Sequence, residues 1–160
     1  MSDIGPAGRA TVLVCITCRD AAERLNAVSL AAAATGAAAT DQTDAPEQTE
    51  APGAEMPRAG MILAGATAFA AAAVRGVSVQ RIRCLGNCSR GPSAAIRCDN
   101  SWTYVFGGLE PDRDAGALVM GAQLLAQAAD GIMPWRGRPE SLKRGLIARV
   151  PPADFREELT

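Results

Sequence analysis

The chain contains no histidine. That absence excludes imidazole-based acid/base dyads and nucleophilic triads, zinc sites with histidine ligands, Rieske-type clusters and histidine-ligated haem. Any metal must be held by thiolates, carboxylates or backbone. Lysine is nearly absent as well. Lys143 stands in the C-terminal tail, and no glycine-rich phosphate loop follows a strand with its lysine. Aromatic residues make up only 4% of the chain, so the core must be built from Val, Ile, Leu and Met with few large anchors. Basic runs interleaved with aromatics are missing, which argues against nucleic acid as a partner. The uncharged run Ala59–Val74 is 16 residues, half of them alanine, and no uncharged run is longer. It is too short and too weakly apolar to span a bilayer, and a buried or half-buried helix is expected. The opening MSDIGPAGRATVLV has no charged-then-apolar signal region. A cytoplasmic protein without membrane partners is the expectation.

At 160 residues, 48% of them apolar, the sequence suits a single domain spanning 1–160. Its charge is uneven. Residues 20–55 hold seven acids and one arginine, a formal −6, leaving 15 bases and 10 acids, +5, for the remainder. A solvated arginine-rich surface explains the excess, and a docking face for an acidic partner is the sharper alternative. Residues 20–56 read as an acidic insert. Its second half is Ala, Thr, Pro and acid, too poor in large apolar groups to repay ordering, although a short helix is expected near Ala21–Ala34.

Around the insert the periodicities alternate between strand and helix. Ala10–Thr17 is a short β-branched apolar run, expected as a buried strand. Pro57–Arg58 can open a helix with Met61, Ile62, Leu63, Phe69 and Val74 on its apolar side, stopped by Gly76. Val77–Arg83 alternates as a strand. Ser93–Arg97 and Trp102–Phe106 form a hairpin about Asp99-Asn100. Pro111, with Asp112 and Asp114 at the positive end of the dipole, starts a helix whose packing face is Leu118, Gly121, Ala122, Leu125 and Ala129. Met133–Thr160 is an extended, proline-rich tail, expected to wrap the surface with a helix or turn near Ser141–Ile147. The order predicts an α/β, thioredoxin-like sandwich: a four-stranded mixed sheet with two main helices, its first two strands parallel.

In that topology Cys15 and Cys18 follow the first strand, and Cys84 and Cys88 follow the second. Parallel neighbours end on the same side, so the two pairs should meet there. An iron–sulfur cluster needs inward-pointing backbone N–H groups and a chain that turns tightly. Gly86, Gly91 and Asn87 tolerate left-handed backbone and suit such a loop. Zinc more usually takes two C-x2-C pairs, whereas the second pair here is C-x3-C. C-x-x-C after a first strand is also the thioredoxin redox motif, with Pro92 where that fold keeps a proline. Against a simple dithiol, Cys84 and Cys88 would be idle and the expected helix begins far from Cys18.

The run Cys84-Leu-Gly-Asn-Cys88, followed by Gly91-Pro92-Ser-Ala-Ala-Ile96, resembles the second cluster-binding loop of the thioredoxin-like [2Fe–2S] ferredoxins, a group that includes the ferredoxin-like subunit of respiratory complex I. The chain is more closely similar to a bacterial family of predicted metal-binding proteins, uncharacterised domains of the same ferredoxin type. Val14-Cys15-Ile-Thr-Cys18-Arg19, Ser101–Gly107, Asp130–Trp135 and Ala148–Pro152 carry that resemblance in the same order. It implies a [2Fe–2S] cluster on Cys15, Cys18, Cys84 and Cys88, with Gly86 and Asn87 in the binding loop. It further implies a non-enzymatic electron carrier serving a reductase and an acceptor, linked to cobalt or cobalamin metabolism. A homodimer is compatible with this reading. All-cysteine ligation implies a potential on the order of −400 mV. The better-known ferredoxins space their first pair more widely, so Cys18 departs from the pattern. The alternatives are a thiolate zinc or cobalt module and a thiol–disulfide oxidoreductase using Cys15 and Cys18.

The other chemistry-bearing residues have plain readings. Cys98, at the hairpin, is expected to be a spare small residue. Arg19, Arg83, Arg90 and Arg97 flank the cysteine loops as solvated charges, or tune the site and bind a partner. Trp102, Tyr104 and Trp135 are expected in the core.

Overall fold

The computed structural model describes residues 8–23, 25 and 57–156. Five strands form one mixed sheet: β1 (Ala10–Cys15), β2 (Val77–Ile82), β3 (Ala94–Cys98), β4 (Thr103–Phe106) and β5 (Leu146–Val150). The order is β2-β1-β3-β4-β5. β1 and β2 are parallel, and every other pairing is antiparallel. The first four strands follow the arrangement expected from the sequence. The fifth corrects the expectation of four. Leu146–Val150 pairs along β4, Val105 opposite Ala148, until Pro151 and Pro152 end it.

Helices α1 (Ala59–Ala71) and α2 (Pro111–Ala126) pack against each other on one face of the sheet, over β1, β2 and β3. The short α3 (Glu140–Arg144) leads into β5. The strands facing the helices bury Val12, Val14, Ile96, Tyr104 and Phe106 against Leu63, Leu118, Leu125, Met133 and Leu142. Each such large side chain contributes about 1.5–3 kcal/mol by leaving water. On the outer face Thr11 and Ser78 share a hydrogen bond at 3.1 Å, and Arg97 is exposed. One face toward the core and one toward solvent is what antiparallel sheets allow.

α1 does not bury the side its large residues suggested. Met61, Ile62 and Phe69 are exposed, Phe69 by 85%. The buried face is Ala59, Gly60, Leu63, Ala64, Thr67 and Ala71. An alanine-rich helix has little amphipathic bias, and its small residues let the backbone approach the sheet closely. In α2 the expected packing face holds at Leu118, Gly121, Ala122 and Leu125, while Ala129 lies beyond the helix and is exposed. Pro111 occupies the first turn, and Asp114 Oδ2 accepts the Glu110 amide at 2.8 Å.

The tail does more than wrap the surface. Met133 and Leu142 are essentially fully buried, and the Tyr104 hydroxyl accepts the Met133 amide at 2.9 Å. Trp135 is 62% exposed rather than in the core, whereas Tyr104 is buried and Trp102 half-buried. Most of the acidic segment, residues 24 and 26–56, lies outside the described residues, as does the end of the tail, 157–160.

Candidate thiolate site

β1 and β2 end together, Cys15 opposite Ile82. β3 begins at the same end, Val14 opposite Ala94. Three connections therefore meet there: Ile16–Asp20, Arg83–Ser93 and the entry to α1. They bring Cys15 and Cys18 beside each other and beside the loop that carries Cys84 and Cys88.

The inner pair is buried, Cys15 at 1% and Cys18 at 4% exposure. The Cys15 thiol donates to the Arg83 carbonyl at 3.3 Å, and its amide donates to the Ser93 carbonyl at 3.0 Å. Thr17 Oγ1 also donates to the Arg83 carbonyl, tying the two cysteine loops together. Burial works to raise the Cys15 pKa. Hydrogen bonds from the Thr17 and Cys18 side chains, and from the backbone at Thr17 and Leu85, outweigh it and hold the group below its ordinary value. Burial, then the hydrogen bond and charge of Cys15, push Cys18 up to about 11. The two thiols are thus hydrogen-bonded and shifted in opposite directions, Cys15 down and Cys18 up.

The outer pair is exposed. Cys84 Sγ accepts the Gly86 amide at 3.2 Å, which Gly86 reaches with φ +71°, a left-handed conformation that favours glycine. Cys88 opens a single 3-10 turn, Cys88–Arg90. Asn87 points inward. Its Nδ2 donates to Ser93 Oγ at 2.9 Å, so it clamps the loop to the start of β3. The Gly91–Pro92 peptide is cis. Among the described residues, no three cysteine or carboxylate groups converge as a ready metal site.

α1 begins against the inner pair. The Gly60 amide donates to the Cys18 carbonyl at 3.0 Å, and a Cβ at Gly60 would run into the Cys15 carbonyl. Residues 21–23 are also helical, three positions after Cys18. The start at Ala21 is where a short helix was expected, and the expectation that the crossover helix begins far from Cys18 is corrected. α1 is distant in sequence but not in space. Asp20 and Glu23 bond each other's amides, both at 2.7 Å, and Glu23 Oε2 also accepts the Ala59 amide at 3.4 Å. This is a capping box, legible in Asp20-Ala-Ala-Glu23. Thr17, Ser93 and Gly60 carried no comparable signal, because their roles depend on chain segments far away in sequence.

Arg19, Arg83 and Arg90 lie at this end and are exposed. Arg97 does not belong with them. β3 runs away from the cysteines, which puts Arg97 opposite Thr11 and Cys98 opposite Ala10 at the far end. None of the five cysteines is in a disulfide.

The donor set suits a metal that prefers thiolates. Two loops supply four sulfurs at one end of a sheet, and backbone amides already donate to two of them.

An α/β protein with a thiol-rich loop cluster at one sheet end is the class this defines. The chain belongs to the family described as "Protein of unknown function (DUF1636)", whose profile matches residues 39–152. That span includes Cys84 and Cys88 but not Cys15 and Cys18. No curated protein matches the chain. Among solved structures it is similar to a thioredoxin-like [2Fe–2S] ferredoxin from Aquifex aeolicus, at 15% identity and a TM-score of 0.45, covering 91% of this chain and 97% of that one.

Proposed function

We propose that the protein is a one-electron carrier holding a [2Fe–2S] cluster on Cys15, Cys18, Cys84 and Cys88. The observation that carries this reading is the aim of backbone amides from both loops at cysteine sulfurs: Gly86 toward Cys84, and Thr17 and Leu85 toward Cys15. Such bonds stabilise thiolate charge. When bound, the cluster supplies reversible one-electron transfer. Cys15 and Cys18 would hold it from the protein side, where water is excluded. Cys84 and Cys88 would hold it from the side open to a partner. Asn87 and Ser93 fix the outer loop, and Arg19, Arg83 and Arg90 offer positive charge to an acidic reductase and acceptor. A reducing cytoplasm would keep these thiols available. The narrowest form of the proposal, a reductive step in cobalt or cobalamin handling, rests on the motif resemblance alone.

Anaerobic reconstitution with iron and sulfide should give a red-brown protein with two irons and two labile sulfides per chain. Serine at any of the four cysteines should bleach or alter the visible bands. A colourless protein with stoichiometric zinc would overturn the reading in favour of a thiolate zinc module.

A second reading is favoured by the hydrogen bond between Cys18 and Cys15 and their opposed pKa shifts. A lowered nucleophilic thiol beside a raised one is the chemistry of a thiol–disulfide oxidoreductase. That reading expects insulin-reducing activity lost in Cys18→Ser and unchanged in Cys84→Ser.

A further inference from the structure

We propose that the chain carries a second, independent site: a pocket for a small organic acid, at the β4–β5 side of the sheet and away from the cysteines. A cavity of about 610 Å³ lies between the end of α2, the segment 130–138 and strands β4 and β5. Its location follows from the strand directions. The Trp102 amide donates to the Gly131 carbonyl at 2.9 Å, which anchors segment 130–138 beside the β3–β4 turn, at the opposite end of the sheet from Cys15. The volume falls within the range of pockets for small ligands.

Tyr104, Leu124 and Met133 give the cavity an apolar floor, and the largely exposed Trp135 stands at its rim. Arg138 and Arg149 supply the polar groups that make it a specific site. Arg138 is only 7% exposed. One terminal nitrogen, Nη2, donates to the Met133 carbonyl, while Nε is buried without a hydrogen-bond partner. Among the described residues no carboxylate lies within ion-pair distance of its guanidinium. The charge rests instead on two rings, 5.3 Å from the centroids of both Tyr104 and Trp135. Aromatic faces stabilise a buried guanidinium but do not neutralise it. Arg149 is the second, exposed cation, stacked 4.9 Å over Trp102. The one acid in the lining, Asp130, already accepts the Ile132 amide on Oδ1 at 3.0 Å. Two guanidinium groups against one carboxylate leave the pocket net positive.

A desolvated charge without a counter-ion is costly unless something binds to it. The planar guanidinium fork matches a carboxylate or a phosphate, and the apolar, aromatic walls match a flat or hydrocarbon body. The ligand class is therefore a carboxylate or phosphate monoester on a compact apolar frame. None of these residues touches the cysteine site, so the inference stands whether or not a cluster is bound there.

The test is a titration of the full chain with 1-naphthoate, phenyl phosphate and the neutral control benzamide. The readouts are calorimetry and the Trp135 indole N–H shift. Saturable binding of at least one acid below about 1 mM, with none by benzamide, is expected. Comparing the two acids distinguishes a carboxylate site from a phosphate site. Arg149→Gln should weaken binding at least about tenfold while the free-thiol count stays unchanged, and Arg138→Lys should do so by removing the fork while keeping the charge. No saturable binding by either acid up to about 10 mM overturns the proposal. Equal binding of benzamide, or affinity unchanged in both variants, overturns it as well.

Discussion

At the scale of single residues, the site depends on a position with no functional group. Gly60 lets the first turn of α1 lie against the Cys15 carbonyl, where a Cβ could not fit. Gly65, one turn further on, has open space beside it. Gly60→Ala should therefore destabilise the fold by about 1–3 kcal/mol through overpacking against backbone. Gly65→Ala should stabilise it by about 0.5–1 kcal/mol through helix propensity. Urea unfolding midpoints of the two variants, measured side by side, check the contrast. Equal shifts would mean that the contact at Gly60 relaxes freely. The placement of the two cysteine pairs at the ends of neighbouring strands was legible, because each pair directly follows a run of strand period. The exposure split between them was not. It depends on Ser93 and Gly60, which reach the inner pair from elsewhere in the chain.

At the scale of elements, periodicity located β1, β2, the hairpin and both long helices, because each carries a run of matched period. It failed at a strand that is mostly exposed and does not alternate. Leu146-Ile-Ala-Arg-Val150 sits among prolines and arginines, and only two of its five residues are even partly buried, so its sequence carries no alternation. What makes it a strand is the otherwise unpaired edge of β4. A chain ended after Gly145 should expose that edge beside buried Tyr104 and Phe106. The truncated protein should elute as aggregates on size exclusion, where the full chain gives a single discrete species. A soluble, discrete truncated form would show that β5 is dispensable. The face of α1 was misread for the opposite reason. Alanine at most positions flattens the pattern, and Phe69 looked like an anchor only because it is large.

At the scale of the whole molecule, the candidate site joins loops 66 residues apart, Cys18 to Cys84. A group held by both pairs would therefore act as a cross-link between β1 and β2. Anything that binds the native state alone raises its stability by mass action, about 4 kcal/mol at a thousandfold excess over the dissociation constant. Reconstituted protein should melt about 8–16 °C above the reduced, chelator-treated chain, taking about 2–4 °C per kcal/mol for a domain of this size. Calorimetry or circular dichroism on both forms checks this. Coincident curves would mean that no group binds the native state in preference to the unfolded chain. Among the described residues no helix is long and apolar enough to cross a membrane.

The position of β1 in the sheet has a consequence in time. β1 is synthesised first, yet its partners are Val77–Ile82 on one side and Ala94–Cys98 on the other. On a ribosome adding residues one by one, Cys15 and Cys18 must wait, unpaired, until the chain has reached Cys98 at the end of β3. Contacts so remote in sequence close slowly. The inner thiols thus pass through an interval in which they are open to oxidation, and they gain their shelter only when the central strand is finally flanked.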